Sequence, residues 1–405
     1  MTRLDFQPFD ADNHYYEAED AFTRYADPAM ANRTMQWAEI HGKRRLLVAS
    51  QIQRFIANPT FDPVAKPGSL QEWFKGTSGA TNIRDAFGEL EPLPAEYRDR
   101  DARIAKLDEQ GMEGAILFPT LGVGMENMLL PDIEAVQHAL SAFNKWLEDD
   151  WGYAYQDRIF AAAMISLSDP EGAVEELDRV LAKGARVVCL KMGPVRTAVG
   201  FRSPGDEMFD AFWDRIDRAG VTVGFHTGDA GYTRYTDEFE PFGDFRSFQF
   251  TPFRLLTGSR AIYDTMAALL CHGVYDRFPN VRVASVENGS TWVPELFVQL
   301  KKVCKSYGHL FNGDPIETFK RHVWVSPFNE EDVPAFVRLV GADRTLFGSD
   351  FPHAEGLENP VDYVEEIAEF DDESIRKIMR DNARDLVTPR PLAAPLSSAS
   401  VGARA

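Results

Sequence analysis

The residues best suited to chemistry lie at the ends of three apolar segments that are far apart in the chain. Asp12 and His14 end the first segment, His226 ends a second and Asp350 ends a third. Residues two apart on a strand point to the same face, so the Asp12 carboxylate and the His14 imidazole can face one cavity. Imidazole nitrogens and carboxylate oxygens are ligands for divalent metals. If the three ends meet, they form a metal site of two nitrogen and two oxygen ligands.

Eight short apolar segments recur along the chain with helical patterns between them. Most are continuously apolar, which is typical of strands buried on both faces of a parallel sheet. Strands are predicted at 6–14, 114–120, 159–167, 186–191, 221–227, 281–288, 322–328 and 345–351. Helices are predicted at 170–183, 203–220, 266–278, 294–307, 333–340 and 360–370. The pattern predicts an α/β fold, a (β/α)8 TIM barrel, whose functional groups lie at the carboxyl ends of the strands. A doubly wound sheet is disfavoured because no glycine-rich phosphate loop follows the first strand.

The first two predicted strands are much farther apart than a simple crossover requires. Residues 1–386 are predicted to form one barrel domain, with residues 19–94 as an insertion folded over the barrel mouth as a lid. Residues 229–258 are rich in Phe and Tyr and are a second candidate wall of the pocket. Residues 387–405 are a low-complexity tail, predicted to be disordered or to lie on a neighbouring molecule.

Composition excludes some classes of partner. The 405 residues carry 43 Lys and Arg against 63 Asp and Glu, a net charge of −20, which argues against nucleic acid or an anionic membrane. Three cysteines far apart in the chain imply no disulfide framework. The start of the chain lacks a signal pattern and no apolar run is long enough to span a bilayer, so the sequence predicts a cytoplasmic protein.

Several motifs, from the first strand to the last helix, carry a family resemblance. They read Asp10-Ala-Asp-Asn-His-Tyr-Tyr-Glu17, Gly224-Phe-His226, Gly273-Val-Tyr-Asp-Arg-Phe-Pro-Asn-Val-Arg-Val283, Trp292-Val-Pro294, Leu346-Phe-Gly-Ser-Asp-Phe-Pro-His353 and Asp381-Asn-Ala-Arg-Asp-Leu386. The chain resembles the amidohydrolase superfamily. It is most similar to the amidohydrolase-related branch, which also contains non-oxidative decarboxylases such as the aminocarboxymuconate-semialdehyde and γ-resorcylate enzymes.

The resemblance implies a ligand set and one departure from it. The family's first-strand pair of ligands falls on Asp12 and His14, its strand-five histidine on His226 and its strand-eight aspartate on Asp350. It implies zinc as the most common ion, with manganese in some members. A histidine that usually precedes Trp-x-Pro is replaced by Asn288, which follows Glu287. Asparagine cannot shuttle a proton near neutral pH.

Three residues are therefore candidates for catalysis. Asp350 is predicted to act as general acid and base, while Glu287 and Asn288 are predicted to contact the metal environment or the substrate. Glu17 is predicted to be a hydrogen-bond partner of a loop, and His353 to face the barrel mouth.

The first functional hypothesis is a hydrolase in which metal-activated water attacks a C–N or C–O bond of a small organic substrate. The second is a metal-dependent decarboxylase of an aromatic or unsaturated acid. A third is an iron or manganese oxygenase, or its partner subunit, because the carboxylate-rich set suits those metals. A non-catalytic barrel is disfavoured by intact candidate ligands at all three strand ends. Aromatic residues around the expected pocket predict an apolar or aromatic substrate, and the resemblance implies a homodimer.

Overall fold

The computed structural model describes residues 4–241 and 251–392. Parallel strands form a barrel in the order of the sequence, and their residues are almost all buried. The strands are β1 (Phe9–Tyr15), β2 (Gly114–Pro119), β3 (Ile159–Ala161 continuing as Ala163–Ile165), β4 (Val187–Leu190), β5 (Thr222–His226), β6 (Arg282–Val286) and β7 (Val323–Val325). Between the halves of β3, the Ala162 N–H donates to the Leu117 carbonyl, 2.9 Å away, so β2 and β3 stay paired there.

The eighth predicted strand, residues 345–351, closes the barrel as an irregular segment. Thr345 bridges Val325 of β7 and Phe351 bridges Asn13 of β1, both in parallel. The Ala11 N–H also donates to the Phe347 carbonyl at 2.9 Å. The backbone crosses β1 closely: a Cβ at Gly348 would lie 2.6 Å from that of Asp12. The prediction of a TIM barrel is confirmed, although this segment lacks the regular ladder of a strand.

Helices connect successive strands, and aspartates mark where several of them begin. Asp99, Asp132 and Asp332 each accept a hydrogen bond from the backbone N–H three residues later, which satisfies a donor that the helix leaves free. The longer helices are Arg100–Glu109, Ile133–Asp150, Pro170–Ala182, Asp210–Ala219, Thr233–Phe239, Arg260–Cys271, Trp292–Tyr307, Pro315–His322 and Val333–Val340. Shorter ones are Gln71–Phe74, Ile83–Ala86, Met125–Leu129, Pro252–Thr257, Val274–Arg277, Asp372–Arg376 and Asn382–Leu386. The helix predicted at 360–370 is a 3-10 helix over Pro360–Ile367.

The insertion has its own small antiparallel sheet and contacts the loop after the eighth segment. Its strands are Met35–Ile40, Lys43–Val48 and Gln51–Ile52. The Leu70 N–H donates to the Ala354 carbonyl at 2.8 Å, and the Phe61 and Tyr16 rings lie 4.6 Å apart. The insertion therefore packs beside the carboxyl ends of the strands, and its role as a lid stays a prediction.

Two predicted segments are only partly described. In the tail, the Arg390 N–H donates to the Gly220 carbonyl at 3.0 Å, and the Leu392 N–H to that of Arg218 at 3.1 Å. Residues 393–405 of the tail and 242–250 of the candidate pocket wall lie outside the described residues. Among the helices described, none is both long and apolar enough to cross a membrane.

Candidate metal centre

Four side chains from three strand ends converge inside the barrel mouth. Asp12 and His14 lie on β1, His226 is the last residue of β5, and Glu287 follows β6 directly. The His14 and His226 Nε2 atoms are 3.1 Å apart. Asp12 Oδ1 lies 3.3 Å from His14 Nε2 and 3.5 Å from His226 Nε2. Glu287 Oε2 lies 3.0 Å from His226 Nε2 and 3.5 Å from His14 Nε2.

These distances fit a shared divalent cation. Bonds of about 2.0–2.1 Å to a tetrahedral ion separate neighbouring ligand atoms by roughly 3.3 Å. His226 Nδ1 lies 2.8 Å from the Thr227 carbonyl, which only accepts, so Nδ1 carries a proton and Nε2 is the ring nitrogen directed at the cluster. Asp12 Oδ1 is buried and lacks a hydrogen-bond partner. The donor set therefore fits a metal on grounds independent of any resemblance.

The electrostatics of the cluster favour a cation. Burial alone would lower the pKa of His226, but Glu287 and Asp12 raise it to about 9. Burial would likewise lower the pKa of His14, yet its carboxylate neighbours hold it well above its usual value. Glu287 shows the converse: burial would raise its pKa, but the two histidines lower it. The carboxylates thus impose a negative potential on the imidazoles, which a divalent ion would neutralise.

Asp350 and His353 extend the cluster on the side of the eighth segment. Asp350 Oδ1 is 3.2 Å from His14 Nε2 and 2.6 Å from His353 Nδ1. Burial and the charge of Glu287 raise the pKa of Asp350 well above its usual value. Glu287 and Asp350 both have left-handed backbone, with φ of 51° and 54°, a conformation uncommon for residues other than glycine.

The predicted ligands Asp12, His14 and His226 thus lie together, and Asp350 lies beside His14. Glu287, predicted as a catalytic contact, lies within the same group as the first three ligands. Glu287 directly follows a buried strand, much as His226 ends one. This position in the sequence identifies Glu287 as a candidate ligand.

The Asn288 side chain donates hydrogen bonds to backbone carbonyls. Its Nδ2 donates to the Phe225 carbonyl at 2.9 Å and to the Val286 carbonyl at 2.8 Å, which joins the ends of β5 and β6. Its predicted catalytic role stays a prediction.

A second set of buried polar residues, not identified from the sequence, fixes the ligands in place. Asp10 accepts hydrogen bonds from the backbone N–H groups of Asp12 and Ser349, each at 3.0 Å, and from the Ser349 hydroxyl at 2.5 Å. Arg103, fully buried, donates from Nη1 to the His14 carbonyl at 2.7 Å and also to the Asn13 side chain. Asp10 therefore ties β1 to the segment that carries Asp350. A charged residue within a buried apolar strand is the signal that could have identified it.

Glu17 is held by a neighbouring strand end, in agreement with its predicted role as a loop partner. Its Oε1 accepts hydrogen bonds from the Leu121 and Gly122 N–H groups, both at 2.9 Å. Burial raises the pKa of this carboxyl to about 7 despite these bonds. Glu17 therefore joins the end of β1 to the loop after β2.

A cavity of about 800 Å³ lies next to a small pocket that His226 lines. Lys191 and Ala230 line it and also line the small pocket that contains His226. Lys191 Nζ donates to the carbonyls of Met192 at 3.1 Å and Pro194 at 3.3 Å. The cavity lining contains the basic side chains of Lys191, Arg196, Arg234 and Arg260 and the acidic side chain of Asp264, so positive charge is in excess. In a chain with a net charge of −20, this local positive charge favours an anionic ligand group.

Comparison with known proteins identifies the family. The family described as amidohydrolase matches residues 98–388, which is most of the chain but begins after Asp12 and His14. An amidohydrolase from Mycobacterium avium subsp. paratuberculosis K-10 is 42% identical, with 95% of this chain and 100% of that chain covered and a TM-score of 0.89.

Two decarboxylases share the fold at low identity. One is 5-carboxyvanillate decarboxylase from Novosphingobium aromaticivorans DSM 12444, solved with manganese and 4-hydroxy-3-methoxy-5-nitrobenzoic acid. It is 16% identical, with 95% and 96% of the two chains covered and a TM-score of 0.57. The other is a dihydroxybenzoic acid decarboxylase from Polaromonas sp. JS666, solved with manganese and 2-nitroresorcinol. It is 16% identical over 79% of this chain and 93% of that chain, with a TM-score of 0.53. The chain belongs to the amidohydrolase superfamily of metal-dependent enzymes.

Proposed function

We propose that the protein is a metal-dependent hydrolase that acts on a C–N or C–O bond of a small organic substrate. Asp12, His14, His226 and Glu287 hold a divalent cation, and Asp350 lies beside it. The observation that carries the proposal is the position of His226 Nε2, which faces the Asp12 and Glu287 carboxylates and the second imidazole at 3.0–3.5 Å while Nδ1 is bonded to the Thr227 carbonyl. Zinc fits two nitrogen and two oxygen ligands, and manganese or iron are the alternatives because carboxylates are numerous.

Asp350 is the residue that moves protons in this proposal. A bound divalent ion lowers the pKa of water toward ~7 and polarises a carbonyl. Asp350 accepts a proton from the attacking water and returns it to the leaving nitrogen or oxygen. Its Oδ1 already faces the cluster, so no rearrangement of the backbone is required.

A decarboxylase is the second candidate, and the basic cavity favours it. Lys191 and the arginines of the lining would attract a carboxylic acid toward His226, which lines the adjoining pocket. In this alternative Asp350 protonates the carbon that loses CO₂. The aromatic side chains in the same lining, Phe201, Tyr232 and Tyr235, suit an aromatic substrate body.

One experiment separates the two reactions. Protein loaded with zinc or manganese is incubated with a panel of amides, esters and lactones and with a panel of aromatic carboxylic acids, in ¹⁸O-labelled water. Incorporation of ¹⁸O into the product supports the hydrolase, and release of CO₂ without it supports the decarboxylase.

Asp350→Asn is the matched test of mechanism, with the exposed Asp362→Asn as control. The first is expected to lose turnover by at least about 100-fold while keeping its metal, because asparagine cannot take the proton. The control is expected to keep full activity. Full activity in Asp350→Asn would show that the assigned proton carrier is wrong.

A further inference from the structure

We propose that the cavity at the amino ends of β6, β7 and the eighth segment binds a multiply charged oxyanion, the group that phosphate esters and polycarboxylates carry. The volume of this cavity is about 550 Å³. Arg282 begins β6, His322 directly precedes β7, and Arg344 directly precedes the eighth segment. All three residues line the cavity, and none of them belongs to the metal centre.

The cavity and the metal centre lie at opposite ends of the barrel. Arg282 is the first residue of β6, whereas Glu287 directly follows the last residue of the same strand. Five residues of extended strand span roughly 16 Å. A small anion bound beside Arg282 therefore leaves the metal ligands untouched.

Positive charge is in excess in the lining of this cavity. Five basic side chains face three carboxylates there, in a chain whose net charge is −20. The basic side chains are Arg282, Arg321, Arg344, Lys377 and Arg390, and the carboxylates are Asp343, Asp381 and Asp385. A local excess of this sign attracts anions.

The three carboxylates already have other cationic partners. The pairs are Asp343 with Lys377 at 3.1 Å, Asp381 with Arg380 at 2.8 Å and Asp385 with Arg390 at 2.5 Å. The guanidinium groups of Arg282, Arg321 and Arg344 remain. Among the described residues, the one carboxylate within 4.0 Å of any of these three groups is that of Asp385, 3.8 Å from Arg282 Nη1.

Arg282 carries a buried charge that backbone groups hold in place. Its surface is 3% exposed, and it donates to the carbonyls of Asp385 at 2.7 Å and Thr388 at 3.0 Å. Its Nε is buried without a hydrogen-bond partner. Burial lowers the pKa of Arg282 to about 10, so the group stays charged at neutral pH. Because a buried charge without a close counter-ion is costly, an anion in the cavity would stabilise this arrangement.

Arg344 and Arg321 offer the donors for such an anion. The Arg344 guanidinium lies over the Trp324 ring, 4.5 Å from its centre, and donates from Nη1 to the Asp343 carbonyl at 2.8 Å. Its Nη2 has no hydrogen bond with a described residue. The exposed Arg321 side chain likewise has neither a hydrogen bond nor an ion pair within the described part of the chain. Guanidinium groups bind phosphate and carboxylate oxygens in pairs, and one that is already oriented loses little freedom on binding.

The size of the cavity favours an organic anion over a bare inorganic ion. Cavities of roughly 300–1,000 Å³ hold small organic molecules. Pro279, Val281 and Trp324 supply apolar surface beside the charged groups. The ligand class is therefore a small organic molecule whose phosphate or paired carboxylates lie between Arg321 and Arg344.

The test is calorimetric titration of the metal-loaded protein with inorganic phosphate at low salt. The wild type is expected to bind phosphate, and added salt should weaken the binding. Arg321→Gln and Arg344→Gln are each expected to weaken it at least about 10-fold, because a charged hydrogen-bond donor is lost. The exposed Arg84→Gln, in the insertion, is the matched control and is expected to keep the wild-type affinity. Succinate then replaces phosphate: tighter binding of succinate indicates a polycarboxylate ligand, and tighter binding of phosphate indicates a phosphate ester.

Two results would overturn the proposal. The first is a wild type that binds neither anion. The second is an unchanged affinity in both Arg321→Gln and Arg344→Gln, because phosphate held at the metal centre or in the cavity near His226 would not respond to these substitutions. Arg321 is exposed, so its variant is expected to fold even if Arg344→Gln does not, and melting curves of each variant check this.

Discussion

Replacing Glu17 by Gln is expected to change how the stability of the protein depends on pH. The carboxyl is buried, with 2% of its surface exposed, and burial raises its pKa from 4.5 to about 7. Because the folded state binds this proton more tightly than the unfolded chain does, Glu17 favours folding most at low pH. Its contribution falls as the pH rises above 4.5, and the fall ends above pH 7.

The size of the effect follows from that difference in pKa. A rise from 4.5 to about 7 corresponds to about 3 kcal/mol once the group is fully ionised. About 2.5 kcal/mol of this is lost between about pH 5 and about pH 8. A glutamine has no such dependence, and its oxygen can keep both bonds that Oε1 accepts from the Leu121 and Gly122 N–H groups.

Urea unfolding at the two pH values, with a chelator present throughout, measures the difference. Glu17→Gln is expected to match the wild type near pH 5 and to be about 2.5 kcal/mol more stable near pH 8. The exposed Glu89→Gln is the control and is expected to follow the wild type at both values. If the free energy of unfolding changed equally between the two pH values in Glu17→Gln and in the wild type, the reasoning would be refuted. That result would mean that Glu17 ionises in the folded protein without loss of stability.

Three further outcomes are expected. Arg103→Met leaves the buried His14 carbonyl and Asn13 side chain without their donor, so the free energy of unfolding in urea should fall by about 3 kcal/mol; an unchanged midpoint would contradict this. Asn288→Ala removes two hydrogen bonds and should cost about 2 kcal/mol while metal content stays constant, whereas loss of an ion would make Asn288 part of the centre. Removal of metal by a chelator should lower the melting temperature, because an ion present at 100 times its Kd stabilises the fold by about 2.7 kcal/mol; identical melting with and without chelator would mean that no ion is bound.

The sequence predicted the barrel and most of the site because both depend on local patterns. Continuous apolar segments identified the strands, and polar residues at their carboxyl ends identified Asp12, His14 and His226. Asp350 was identified in the same way, although its segment closes the barrel without a regular ladder. Within that segment Gly348 approaches Asp12 closely, and no local pattern encodes a contact between residues so far apart in the sequence.

The remaining features depend on contacts between distant residues. Asp10 binds Ser349 and Arg103 binds the His14 carbonyl, so their roles appear only when the barrel closes. His353 Nε2 lies 2.9 Å from the hydroxyl of Thr120, which comes from another strand end. Glu287 was identified as a candidate, but its place among the ligands depends on a left-handed backbone that residue type alone does not predict.

The left-handed backbone at Glu287 and Asp350 restricts which amino acids can replace these two residues. A residue other than glycine at positive φ costs roughly 1–2 kcal/mol, and β-branched side chains are the least tolerated. Asparagine and aspartate adopt this conformation most readily, so position 350 accepts Asn or Gly but resists Thr, Val or Ile for reasons unrelated to catalysis. Asp12 lies on β1, outside the left-handed region, and carries no such restriction. A library of variants intended to change the metal preference should therefore vary position 12 and leave positions 287 and 350 unchanged.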